Sequence, residues 1–290
     1  MIFDNMVINT NLHLLLMVFM ISLADCTGPG NMQKEITLEP FAVSYEKIEN
    51  RAEIANKYKL LIVEPDHYSK PEIDSLNTST NKLIAYVSLG EVNRNRWYYP
   101  LLEKRGFLGV NEQWGSQYLN LADSTTRAIL LGKVIPNIMK KGFDGLFLDT
   151  VDGVAPYTDR SHLQSCMIDM IAKIHKANPQ AFVVQNSGLF MLDKTNQFID
   201  AVLIEDVASS YNFGDQTYGL KLRKKYKDKV ESIGRYSSLY DKPILIVDFS
   251  DKELLNKKIK NRLDSLSYPY FIGPIQLNNI KETISSIPSH

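Results

Sequence analysis

A chain of 290 residues is long enough for one large domain, and its 44% apolar content can fill a sizeable core. Lys and Arg total 33, as do Asp and Glu, so the formal net charge is zero. That balance argues against a nucleic-acid binder, which needs a basic surplus, and without a CxxC pair or an HExxH stretch neither structural zinc nor zincin chemistry is supported.

The first feature in chain order is Leu12–Leu23 (LHLLLMVFMISL). It is shorter than the ~20 residues a bilayer-spanning helix needs and has the length of a signal-peptide core. A polar stretch, Thr27–Asn31, follows; the residues before the run carry Asp4 and no Lys or Arg. The expected division is a signal over residues 1–26, a short linker over 27–38 and the main domain over 39–290. Cys26 directly after the run is similar to a lipoprotein lipidation site, although Asp25 stands where a small residue is usual. The expectation is an exported, monomeric protein, either secreted, periplasmic or anchored by lipid at Cys26. Cys166, the other cysteine, lies among Leu163, Met167, Met170, Ile171 and Ile174 at helical spacing and is expected in the core.

Eight β-rich runs then punctuate the sequence: Phe41–Tyr45, Leu60–Pro65, Lys82–Gly90, Gly145–Thr150, Ala181–Ser187, Ala201–Asp206, Pro243–Ser250 and Tyr270–Gln276. Most are continuously apolar, as parallel strands covered on both faces are. Thr125–Lys141, Ser161–Ala177 and Asp251–Leu266 between them have helical periodicity. The first run leads into EKIENRAE, which lacks the glycines of a phosphate-binding loop, so an open doubly wound sheet is disfavoured. The fold predicted is a single-domain α/β (β/α)8 TIM barrel. Glu91–Asp123 reads as a long irregular connection, and connections of that length are more often functional than idle.

In such a barrel the chemistry sits at the C-terminal ends of the strands. Those ends read Tyr45; Glu64 and Asp66; Ser88 and Glu91; Asp149 and Asp152; Gln185 and Asn186; Glu205 and Asp206; Asp248; and Gln276. Carboxylates with few cations, beside aromatic faces that can stack on sugar rings, suit glycosidic cleavage, which needs one protonated and one ionised carboxyl. Asp149 and Glu205 are the expected catalytic pair, because each closes an apolar strand where a charge is costly unless used or paired. Tyr45, Asp66, Ser88, Glu91, Trp97, Tyr98, Asp152, Gln185, Asn186 and Asp248 are the expected substrate-binding residues. Alternatives stand beside this. Asp152 and Asp206 fit helix caps, and the Trp97–Tyr99 cluster with Trp114 fits a hydrophobic lid. Glu64, Asp66, Asp149 and Asp248 fit a hard divalent cation, and the whole chain fits a carbohydrate-binding barrel without turnover. The leading expectation involves no metal and no cofactor.

Two segments carry a family likeness. IAYVSLGEVNRNRWYY (Ile84–Tyr99) resembles the third strand and loop of the glycoside hydrolase family 114 barrels, the endo-α-1,4-polygalactosaminidase-like proteins. KGFDGLFLDTVDG (Lys141–Gly153) resembles that family's Gly-Phe-Asp-Gly…Leu-Asp strand. The likeness runs from about Phe41 to Ile280. It implies a catalytic pair at the ends of strands four and six, here Asp149 and Glu205, and cleft positions at Tyr45, Asp66, Glu91 and Asn186. It also implies an α-1,4-linked, galactosamine-containing polysaccharide as substrate. Val207–Gly219 (VASSYNFGDQTYG) matches no part of the family pattern.

Overall fold

The eight apolar runs fold into eight parallel strands: β1 (Phe41–Ser44), β2 (Leu60–Val63), β3 (Lys82–Ser88), β4 (Gly145–Asp149), β5 (Phe182–Asn186), β6 (Ala201–Glu205), β7 (Ile244–Phe249) and β8 (Tyr270–Gly273). The structure is a computed structural model that describes residues 37–280 and the pair Ile284–Ser285. Leu12–Leu23 and Cys26 lie outside the described residues. Strand order follows chain order, and each strand pairs in parallel with the next. The result is the expected single-domain (β/α)8 barrel, nearly closed. At the seam, β8 pairs antiparallel with Ile284–Ser285 in place of β1. The Tyr45 amide donates to the Leu277 carbonyl (2.8 Å), and the Phe41 and Phe271 rings meet at 6.1 Å. Pro274 has no amide to donate, which fits the end of β8 short of the predicted Gln276.

The helical segments bury the faces their spacing predicts. Gln164–Ala177 turns Met167, Met170, Ile171 and Ile174 inward, whereas Cys166 is half-buried rather than in the core. The segment predicted over Thr125–Lys141 is helical but interrupted: Ser124–Ile129 and Ile135–Met139 flank a π turn at Leu130–Val134. Pro136 supplies the reason, since it lacks an N–H and its ring crowds the carbonyl one turn earlier, so the backbone widens there. Arg223–Tyr240 is an additional helix that sequence periodicity missed; of its residues only Ile233 is fully buried.

Two connections are more ordered than expected. Glu91–Asp123 contains a three-stranded antiparallel sheet of Glu91–Asn93, Ser116–Leu119 and Phe107–Asn111, with a short helix at Tyr99–Glu103. Val207–Gly219 forms most of a hairpin pairing Ser209–Asn212 with Thr217–Leu220. Among the described residues, no helix is long and apolar enough to cross a membrane.

The Gly-Phe-Asp-Gly motif is explained at the bottom of β4. The Leu83 amide donates to Asp144 Oδ2 (2.7 Å) and the Asp144 amide donates back to the Leu83 carbonyl (2.9 Å), fixing the start of β4 against β3. Asp200 repeats the device before β6, accepting from the Val183 amide (2.8 Å) and returning its own (2.8 Å). Gly145 lies opposite Phe182 where any side chain would collide: a Cβ would stand 1.9 Å from the Phe182 carbonyl oxygen. Gly145→Ala must therefore part β4 from β5. Overpacking of this kind costs ~1–3 kcal/mol, and the expected outcome is a thermal midpoint lowered by roughly 2–12 °C, read by circular dichroism. An unchanged midpoint would contradict this strand spacing.

Candidate active site

Parallel strands put their C-terminal ends on one rim, and alternate residues of a strand share a face. Tyr86 and Ser88 of β3, Asp149 of β4, Asn186 of β5 and Glu205 of β6 thus come to one cleft of about 570 Å³. Because β5 lies between β4 and β6, its last residue can reach both neighbours. The Asn186 amide does so, donating to Asp149 Oδ1 (2.7 Å) and to Glu205 Oε1 (3.2 Å). The second Asp149 oxygen accepts from the Tyr86 hydroxyl (2.8 Å). Tyr45 packs edge-on against Tyr86 at 4.9 Å, and both rings line the cleft. Burial first, then the charge of Asp149, raises both phenols well above their ordinary values, so they stay protonated donors.

The chain leaves each of these three strand ends in the same unusual way. Thr150, Ser187 and Asp206, the residues after Asp149, Asn186 and Glu205, have φ of 59°, 54° and 55°. The left-handed region costs a non-glycine residue ~1–2 kcal/mol, and three such turns in a row turn the backbone away just behind the functional groups. Thr150 is braced: its hydroxyl accepts from the Gly90 amide (2.7 Å) and meets Ser88 Oγ at 2.8 Å. A Cβ on Gly90 would stand 2.6 Å from the Thr150 carbonyl oxygen, which accounts for the glycine before Glu91.

Glu205 is the strongly perturbed acid. Its carboxyl is enclosed by the barrel rim, and that burial, together with the nearby Asp149, pushes it from 4.5 up to about 8. Behind it, Lys229 from the helix Arg223–Tyr240 donates to the Glu205 carbonyl oxygen (2.6 Å), and burial lowers the Lys229 ammonium. The far wall is an ion cluster. Arg96 grips Glu64 with both terminal nitrogens, one at 2.6 Å, reaches Asp66 at 3.1 Å, and lies 5.4 Å from the Tyr86 ring centre. Glu91 accepts from the Asn111 amide (3.1 and 3.2 Å) and from the Ser116 hydroxyl.

Of the residues expected from sequence, Tyr45, Asp66, Ser88, Glu91, Asp149, Asp152, Asn186 and Glu205 line the cleft. Four others lie elsewhere. Gln185 is fully buried, with its amide donating to the Ser187 carbonyl (2.9 Å). Asp248 is also fully buried; it accepts from the Ala208 and Ser209 amides (3.0 and 2.8 Å) and from the Ser209 hydroxyl (2.5 Å). Both point into rim packing because neighbouring residues of a strand face opposite ways, and the expectation had assigned them to the open side. Tyr98 is buried under Trp97, whose ring lies 5.3 Å away, and neither reaches the cleft, whereas Trp114 does. The quartet considered for a divalent cation is dispersed too, since Asp248 is turned away and Glu64 and Asp66 already hold Arg96. Tyr86, Arg96, Asn111, Ser116 and Lys229 were not foreseen. Tyr86 alone had a signal, sitting two residues before Ser88 on the same strand face.

Paired carboxyls at the C-terminal mouth of a (β/α)8 barrel are the equipment of a glycoside hydrolase. The model of glycoside hydrolase family GH114 matches residues 30–272, and the chain belongs to that family. The glycoside hydrolase domain of PelA from Pseudomonas aeruginosa has the same fold, with a TM-score of 0.73 at 23% identity, covering 83% of this chain and 96% of that one. Aspergillus fumigatus Ega3, solved as a complex with galactosamine, superposes with a TM-score of 0.65 at 15% identity, covering 82% and 91%. The protein MJ1477 of Methanocaldococcus jannaschii is 26% identical over 227 residues; the match spans 69% of this chain and 63% of that protein, under two thirds of its length.

The raised Glu205 carboxyl has a consequence for stability. Between its ordinary value of 4.5 and about 8, the folded protein holds a proton that the unfolded chain has released, so this group subtracts stability as pH rises through that window. Glu205→Gln removes the titration. Its thermal midpoint relative to wild type should rise by a few degrees between pH 5 and pH 8. A difference that stays flat over that range would show that the carboxyl ionises freely.

Proposed function

We propose that this protein is an endo-acting glycosidase that cleaves α-1,4-linked, galactosamine-containing polysaccharide, with Glu205 as general acid and Asp149 as nucleophile. The single observation that carries the reading is the Asn186 amide shared by Asp149 and Glu205. Two oxygens bound to one nitrogen can be no further apart than the sum of those two bonds. That limit, set for one oxygen of each carboxyl, favours the ~5–5.5 Å spacing of retaining enzymes over the ~6.5–9.5 Å of inverting ones.

In the first step Glu205 gives its proton to the glycosidic oxygen while Asp149 attacks the anomeric carbon, the bond to the leaving sugar breaks, and a glycosyl ester forms. In the second, the Glu205 carboxylate takes a proton from water, the resulting hydroxide attacks the anomeric carbon, and Asp149 leaves. Only one of the two acids is anionic at each stage. While Glu205 is charged, Asp149 is an ester, so the repulsion that keeps Glu205 protonated in the resting state is relieved as its proton leaves. Asn186 and Tyr86 hold the Asp149 oxygens in place throughout.

The substrate class rests on charge and family. Glu64, Asp66, Glu91, Asp149, Asp152 and Glu205 line the cleft, against the cation Arg96 and His67, so a protonated amino sugar is attracted to it. Ega3, which shares the fold, was solved with galactosamine. Export through Leu12–Leu23, with or without a lipid at Cys26, would bring the enzyme to such a polymer.

Incubation with de-N-acetylated α-1,4-galactosamine polymer should release new reducing ends, and the fully N-acetylated polymer should be cleaved less. Asp149→Asn and Glu205→Gln, each verified as folded, should lower kcat by roughly 10²–10⁴. The alkaline limb of the wild-type rate profile should fall near pH 8, where Glu205 loses its proton. Full activity in either variant would remove that residue from the mechanism. Turnover of neither polymer would point to the carbohydrate-binding alternative.

A further inference from the structure

Val207–Gly219 helps to build a second groove beside the cleft. Its hairpin is rigidly rooted. Asp248 accepts from the Ala208 and Ser209 amides, and Arg262 Nη1 donates to the Ala208 (3.2 Å) and Lys221 (2.7 Å) carbonyls on the two legs. Higher up, the Ile275 amide donates to the Tyr218 hydroxyl (3.0 Å), tying the hairpin to the segment after β8. At the tip, Gly214 and Thr217 amides are taken by Asn212 and Asp215 side chains (2.9 and 3.2 Å), which leaves Phe213 projecting.

Phe213 stands in a row of rings. Tyr218 meets Tyr211 at 4.7 Å, Tyr211 meets Phe213 at 5.0 Å, and Phe213 meets Trp114 at 5.4 Å, edge to face. Trp114 comes from a different segment, the turn of the three-stranded sheet, where its amide and that of Gly115 donate to the Asn111 carbonyl (3.3 and 2.8 Å). Trp114 is 49% exposed and Phe213 37%. Adjoining aromatic rings left in solvent on rigid supports mark a binding surface. The groove they line, of about 450 Å³, also carries Glu112, Gln113, Gln216 and Gln276 and, among the described residues, no cation. It is continuous with the active cleft, because Trp114 and Ile275 line both.

We infer that this shelf is a remote subsite for a sugar unit of the same chain that is cut at Asp149 and Glu205, so that long chains are held at two places. The inference rests on the glycosidase reading above. Aromatic faces take the apolar side of a pyranose, while the amides and Glu112 suit its hydroxyl and ammonium groups. A chain of two sugars bound at the catalytic pair gains nothing from the shelf; one long enough to reach it does.

The test uses α-1,4-galactosamine oligomers of two and of about eight units. Trp97→Phe leaves Trp114 as the sole tryptophan, since the chain has two. The octamer should change its emission more than the dimer, which can meet Trp114 only from the active cleft. Phe213→Ala should weaken the octamer's binding, and lower the octamer-to-dimer ratio of kcat/KM, by roughly five- to tenfold. Phe213→Trp, which keeps a stacking face, should restore both, and this separates lost stacking from a misfolded tip. Cleavage with a length preference untouched by Phe213→Ala overturns the subsite and leaves the glycosidase reading intact. An octamer-dependent emission change that Phe213→Ala weakens, without any cleavage, sustains the subsite and overturns hydrolysis. No emission change and no cleavage overturns both.

Discussion

The Asn186 amide ties one oxygen of Asp149 to one oxygen of Glu205, and the chemistry proposed for the cleft depends on that tie. A hydrogen bond to a charged group, as to Asp149, is worth ~1.5–3 kcal/mol and one to a neutral group, as to protonated Glu205, ~0.5–1.5 kcal/mol, together enough to hold side chains that would otherwise swing apart across two strand spacings. The amide can serve both acids only because β5 lies between β4 and β6, so strand order itself sets the geometry. The closeness then raises Glu205: enclosure disfavours its charge, and Asp149 disfavours it further. On the proposed reading, acid and nucleophile are two outcomes of one arrangement.

Around this pair the rim is braced rather than flexible. Of the left-handed turns, that at Thr150 is held by Gly90 and Ser88 and that at Asp206 by its pairing with Lys221 (2.7 Å). Arg96 pairs with both Glu64 and Asp66, one positive charge against two negative. Breaking so enclosed a pair by removing one partner costs ~3–5 kcal/mol, so Arg96 serves the wall of the cleft as much as its charge balance. The two projecting elements, the three-stranded sheet and the hairpin, are rooted in the same rim through Glu91 and Asp248. On the subsite inference, substrate length is sensed by these two segments rather than by the strand ends that carry the acids.

Sequence periodicity reached the barrel because parallel strands buried on both faces leave continuous apolar runs, and all eight were visible. It reached the strand ends of the cleft for the same reason. It could not say which way each end faces. Gln185 and Asn186 are adjacent and chemically alike, yet one is sealed in the rim and the other joins the two acids; Asp248 closes an apolar run just as Asp149 does, yet anchors a hairpin. Arg96 and Lys229 were out of reach because their partners are distant in the chain. The hairpin was hidden because its stabilising contacts, Asp248 to Ser209 and Arg262 to Lys221, are tertiary. The helix Arg223–Tyr240 escaped because it packs chiefly through half-buried Tyr226, Val230, Tyr236 and Tyr240 rather than an aliphatic stripe.

The convergence of Asp149 and Glu205 on one bond is tested most directly by the configuration of the sugar at the moment it is released. Proton nuclear magnetic resonance of the reducing end, followed from the first seconds of cleavage of an α-1,4-galactosamine oligomer, resolves the two anomers before they equilibrate. Carboxyls bridged by one amide predict the α-anomer first, with the β-anomer growing in later. If the β-anomer appears first, water attacks directly across a wider gap, and the Asn186 bridge does not describe the working enzyme.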